Sequence, residues 1–143
     1  MDIPELDFTI WWRPHRAWGY LVNIVSMPED DQILGFFQSF ADVPGASEYP
    51  YFDRDRPHRE FEVTVEAFLS LCRRANTLSY QFAELRPFER FGGSFFGIRL
   101  ERGFQEFAIK WHGTFDDLQD EHIKDLYRQI QHIAGEPYPS DAK

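Results

Sequence analysis

The sequence predicts an α+β domain: one antiparallel sheet of about five or six strands, with two or three helices packed mainly on one face. Three features carry the prediction. Several short runs alternate apolar and polar side chains at a period of two. Two of these runs flank the short turn Glu101-Arg102-Gly103, as in a β-hairpin. Residues 115–134 repeat apolar side chains at helical spacing near the end of the chain. Strands joined by short links pair antiparallel, and the helices then cover one face of the sheet.

The first strand is Asp7-Phe8-Thr9-Ile10-Trp11-Trp12, with Phe8, Ile10 and Trp12 on one face and Asp7, Thr9 and Trp11 on the other. Pro14 and His15 end it. Residues 17–26 alternate Trp18, Tyr20, Val22 and Ile24 against Gly19, Leu21, Asn23 and Val25. Both faces are largely apolar, so this strand belongs in the middle of the sheet, hairpinned to the first. Pro28-Glu29-Asp30-Asp31 reads as a helix start, followed by Ile33, Leu34, Phe36, Phe37 and Phe40 near helical spacing. Gly35 weakens that helix, and a strand over residues 33–40 is the alternative. Residues 42–57 form a long irregular stretch with Pro44-Gly45, Pro50 and Pro57.

Arg59-Glu60-Phe61-Glu62-Val63 alternates as an exposed strand does. Thr64 is placed to cap a helix over residues 65–75, with Val65, Phe68, Leu69, Leu71 and Cys72 on its apolar side. Leu78-Ser79-Tyr80-Gln81-Phe82 reads as a further strand. Residues 94–100 and 104–111 are the two arms of the hairpin. Thr114 or Asp116 then caps the helix over 115–134, whose stripe is Leu118, His122, Ile123, Leu126, Ile130 and Ile133. Gly135 and Pro137 stop it. Residues 1–143 make one domain, with 136–143 as a frayed tail.

The 143 residues carry 15 basic and 24 acidic side chains, a formal charge of −9. That balance excludes the basic footprint of a nucleic-acid binder and a polybasic membrane anchor. No apolar run reaches the ~18 residues of a membrane span, and Met1-Asp2-Ile3-Pro4-Glu5 lacks the basic and apolar regions of a secretory signal. The expected compartment is the cytoplasm. A single cysteine excludes an internal disulfide and a multi-cysteine zinc site.

No motif equips the chain for catalysis or for a cofactor. His15, His58, His112, His122 and His132 are scattered, without the spacing of a metal-ligand pair. Cys72 sits on the apolar side of a helix and reads as a buried structural thiol. Gly92-Gly93-Ser94 with Gly97 leads into a strand and lacks the following Lys-Ser/Thr of a phosphate loop, so it reads as a turn or bulge. Asp53-Arg54-Asp55 begins like a calcium loop but lacks its glycine and bidentate glutamate.

What remains is a binding surface. The acids fall in three groups: Glu29, Asp30 and Asp31; the loop with Asp42, Glu48, Asp53 and Asp55; and Asp116, Asp117, Asp120 and Glu121. Acids at a helix start also offset the helix dipole, which is the plain account of the first and third groups. In the loop, Tyr49, Tyr51 and Phe52 are interleaved with Asp53 and Asp55. Large rings and steering charges together suit a protein interface. The neighbouring Arg54, Arg56 and Arg59 fit self-packing equally well.

A −9 charge, the aromatic acidic loop over residues 49–55, and a hairpin over 96–111 leading into the helix over 114–134 give a small acidic α+β domain without a catalytic motif. In these features the chain resembles the immunity proteins of bacterial polymorphic-toxin and contact-dependent competition systems. The resemblance implies one-to-one binding to a cognate toxin domain that blocks its active site or a needed motion. The surplus of acids suits a toxin with a basic cleft, such as a nuclease, and a monomer or weak homodimer is expected. The expected partner-binding residues come from the loop and the acidic groups themselves, with none carried over from the family: Glu48, Tyr49, Tyr51, Phe52, Asp53, Asp55, Asp116, Asp117, Asp120 and Glu121. Two other readings compete with it. One is an enzyme with a small-molecule pocket lined by Trp11, Trp18, His112 and acids. The other is a homo-oligomeric structural module.

Overall fold

The structure, a computed structural model, describes residues 3–13, 19–40, 50–78, 95–103, 105–112, 114–118 and 120–135. Six strands form one antiparallel sheet: β1 (Asp7–Arg13), β2 (Gly19–Met27), β3 (Gln32–Phe40), β4 (Arg59–Glu62), β5 (Phe95–Arg102) and β6 (Gln105–His112). Their order across the sheet is β4-β3-β2-β1-β5-β6. The two helices are α1 (Val65–Leu78) and α2 (Glu121–Ala134).

Alternation in β1 and β2 divides the molecule into two layers of contact. Phe8, Ile10 and Trp12 of β1, with Val22 and Ile24 of β2, face the helices. There they meet Phe68, Leu71 and Cys72 of α1 and Ile123, Leu126, Tyr127 and Ile130 of α2. Ile98 of β5 and Ile109 and Trp111 of β6 complete this main core. Trp11 and Leu21, pointing the other way, form a second, smaller cluster with Phe52. The Tyr127 hydroxyl is fully buried and donates 2.7 Å to the Trp11 carbonyl, tying α2 to the middle strand.

β2 is interior, as its two apolar faces require. The helix expected after Pro28 is absent. Pro28–Asp30 make a single 3-10 turn closed by Asp31 at φ 54°, and β3 follows, paired to β2 along its whole length. Phe36 is buried on one face of β3, while Ile33 and Phe37 pack into the main core on the other. A strand that contacts the protein on both faces puts apolar residues at adjacent positions, and that pattern imitates a helical stripe. Thr64 does cap α1, accepting a 3.1 Å bond from the Ala67 N–H. The helix runs to Leu78, which therefore does not begin a strand, and residues 79–82 lie outside the described set.

The final helix is shorter than its apolar pattern suggested. Phe115–Asp117 form a 3-10 turn, and Asp120, rather than Thr114 or Asp116, caps α2 by accepting from the Ile123 N–H at 3.0 Å. Gly135 ends it at φ 77°, a left-handed conformation suited to glycine. His122 is exposed and not part of the buried stripe, and Tyr127 and Lys124 are buried in it. Residues 92–94 and 136–143, the expected turn and tail, lie outside the described set. Neither described helix is long and apolar enough to cross a membrane.

Candidate functional site

The face of the sheet away from the helices is ordered by strand register. One row crosses all six strands as Glu62, Leu34, Val25, Asp7, Glu101 and Glu106. The next row is Glu60, Phe36, Asn23, Thr9, Arg99 and Ala108. Four carboxylates thus share one row, three of them on adjacent strands. The middle of the second row is buried and polar: Asn23, Thr9 and Arg99 are nearly inaccessible.

Asp7 is drawn into that polar patch. Its Oδ1 accepts from Asn23 Nδ2 at 2.5 Å and from the Thr9 hydroxyl at 3.5 Å. Burial pushes the Asp7 carboxyl above the usual carboxylate range, against the pull of Asn23, Arg99 and Thr9. Glu101 is raised as well, first by burial and then by repulsion from Asp7 and Glu106. Arg99 is the cation on which the group depends. Its Nε lies 3.6 Å from Glu106 and 3.9 Å from Glu101.

Both raised carboxyls hold a proton more tightly in the folded chain than in the unfolded one. Their contribution to stability therefore falls as pH rises from the unfolded values of about 4 through the folded values, and is level above them. Asp7→Asn keeps an acceptor for Asn23 and removes the charge. It is expected to be more stable than the parent at pH 7, with a shallower fall in stability between about pH 4 and 7. Urea titrations across that range check it, and an unchanged slope contradicts the account.

Across this face lies the loop of residues 50–58. Phe52 stacks on Phe36 with centroids 4.5 Å apart, and His58 meets both rings edge-on. The buried Gln38 side chain holds the Asp53 backbone from both sides: Nε2 donates to the carbonyl at 2.6 Å, and Oε1 accepts from the N–H at 2.9 Å. Arg99 donates to the Pro50 carbonyl at 2.8 Å, and its guanidinium lies 3.7 Å from the Tyr51 ring centroid. Asp53 accepts from the Asp55 N–H and pairs with Arg56 at 3.6 Å. Phe52 is thus packed within the chain. Tyr51 remains 63% exposed, with Asp53 and Asp55 exposed beside it. Glu48 and Tyr49 lie outside the described residues, as does Asp42.

The other predicted group is on the helical side of the sheet, where its members also bond within the chain. Asp120 is the α2 cap. Asp116 and Glu121 hold the buried Lys124 ammonium at 3.3 and 2.9 Å. Burial works against that ammonium, but bonding and attraction from Glu121 and Asp116 outweigh it and raise its pKa. Arg128 closes the cluster, 3.2 Å from Asp125 and 3.8 Å from both Asp116 and Glu121. Asp117 is in the preceding turn, its side chain outside the described set. The two predicted groups thus lie on opposite sides of the sheet.

Sequence reasoning did not single out Asp7, Glu101, Glu106 and Arg99. The alternation of β1 placed Asp7 with Thr9 and Trp11, but register alone brings it beside Glu101. The proposed small-molecule pocket gains nothing here, since Trp11 is fully buried and Trp18 and the His112 side chain lie outside the described set. Burial pushes the Cys72 thiol up to about 11, which keeps it protonated and unreactive. Among the described residues, no group of three His, Cys, Asp or Glu side chains is placed to hold a metal ion. No protein-family model and no curated protein matches this chain.

Proposed function

We propose that this chain is an immunity protein, a cytosolic one-to-one inhibitor of a cognate bacterial toxin, and that the acidic row on the sheet face away from the helices meets a basic cleft on that toxin. The observation that carries the reading is the row Glu62, Asp7, Glu101 and Glu106. Three of these acids crowd around one buried arginine; burial raises Asp7 and Glu101, and repulsion from Asp7 and Glu106 raises Glu101 further. Such crowding costs stability in the isolated protein and is relieved by a cationic partner. Tyr51, exposed on Arg99, supplies a ring beside the acids, and the −9 charge speeds encounter with a basic surface.

The test is co-expression with the toxin domain encoded by a neighbouring gene, followed by calorimetry of the purified pair. A one-to-one complex that protects the host cell is expected, with affinity falling steeply as salt rises. Glu101→Gln with Glu106→Gln is expected to weaken it at least ~10-fold, chiefly through slower association. Tyr51→Ala, Asp53→Ala and Asp55→Ala measure the part played by the loop. A parent protein that neither binds nor protects ends the proposal.

A further inference from the structure

We infer that the outer edge of β4 takes an extended segment of a partner protein as a seventh strand, one bearing lysine or arginine at alternate positions. β4 pairs with β3 on one side and has no neighbour on the other among the described residues. Its outward backbone groups are a template for strand addition. An open groove of about 600 Å3 is lined by residues 60–62 of β4, by residues 63–65 leading into α1, and by Ile33 and Leu34. Phe61, Val63 and Ile33 give it an apolar side. Glu60 and Glu62 are exposed on the other side, and neither makes an ion pair among the described residues.

These charges choose the occupant. Directly opposite residues on paired strands interact, so a strand carrying cations across from Glu60 and Glu62 is favoured and an acidic one repelled. A second copy of this chain would bring its own glutamates to the same edge, against a net charge of −9 on each molecule. The acids thus guard β4 against self-pairing while leaving it open to a basic strand. The outer strand at the other end, β6, presents Glu106 and Lys110 on its outer face, a pair of opposite signs with no such preference.

The inference deepens the binding reading and rests on it, but its test requires no toxin. The full chain is titrated with an eight-residue peptide of alternating lysine and valine. A peptide of alternating glutamate and valine and an N-methylated lysine–valine peptide serve as comparisons. Anisotropy gives affinity, and amide hydrogen exchange locates the site. The lysine peptide is expected to bind at least ~10-fold more tightly than either comparison peptide and to slow exchange at amides within residues 59–62. Glu60→Lys with Glu62→Lys is expected to reverse the charge preference. Protection elsewhere, equal affinities, amides of β4 already slow in the free protein, or a dimer through β4 in sedimentation overturns it. A chain that ignores these peptides yet still binds a toxin loses the added strand and keeps the immunity reading.

Discussion

Arg99→Met is expected to destabilise the protein by about 2–3 kcal/mol and to release the loop of residues 50–58. Methionine keeps the buried stem of a side chain that is 1% exposed, so the loss is that of the guanidinium. That group bonds the Pro50 carbonyl and lies against Tyr51 and Trp11. A charge-assisted bond contributes roughly 1.5–3 kcal/mol and a cation–π contact about 0.5–2 kcal/mol. Relief from burying the cation offsets part of this. Glu101 and Glu106 are partly exposed and regain water, which holds the cost below that of a sealed ion pair.

The sign of the pH effect separates this account from simple packing loss. Without Arg99, the folded carboxyls of Asp7 and Glu101 lose the cation that draws them down. Their folded values climb further, so the penalty grows from about pH 5 to pH 7. Urea titrations at both pH values measure it, and hydrogen exchange reads the loop. A penalty equal at the two values, with the loop still protected, contradicts the role assigned to the guanidinium.

Gly97→Val is expected to cost about 3 kcal/mol or more, although valine is a strong strand former. The Trp11 indole occupies the place where a side chain at 97 would begin. Both residues are buried, so the ring has no solvent to move into. Trp11→Leu clears the space, and in that background Gly97→Val is expected to cost less, with a coupling of about 1–3 kcal/mol. Equal costs in the two backgrounds show that the contact does not govern this position.

The fold class was legible because β1 and the β5–β6 hairpin each bury one alternate set of apolar side chains against the helices, and period-two patterning records that directly. β3 was ambiguous for the opposite reason, since contacts on both of its faces erase the alternation. The start of α2 was misplaced because Thr114, Asp116 and Asp120 are all competent caps, and only the 3-10 turn between them decides. The exposed loop at Tyr51, Asp53 and Asp55 could be found as a feature of the sequence. The acidic row could not. Asp7, Glu101 and Glu106 are unremarkable where they stand in the chain, and their meeting depends on the pairing of β1 with β5 and of β5 with β6.

The edge strand β4 has only four residues, a short ladder with few bonds to hold its alignment. Phe61 supplies what the ladder lacks. Its ring lies on Gly35, while the next positions of β3 facing the same way hold Ile33 and Phe37. Sliding the strand by two residues drives ring into side chain, and sliding by one turns Glu60 and Glu62 inward. A single bare carbon on β3 therefore indexes the whole edge, and so dictates which way two glutamates look.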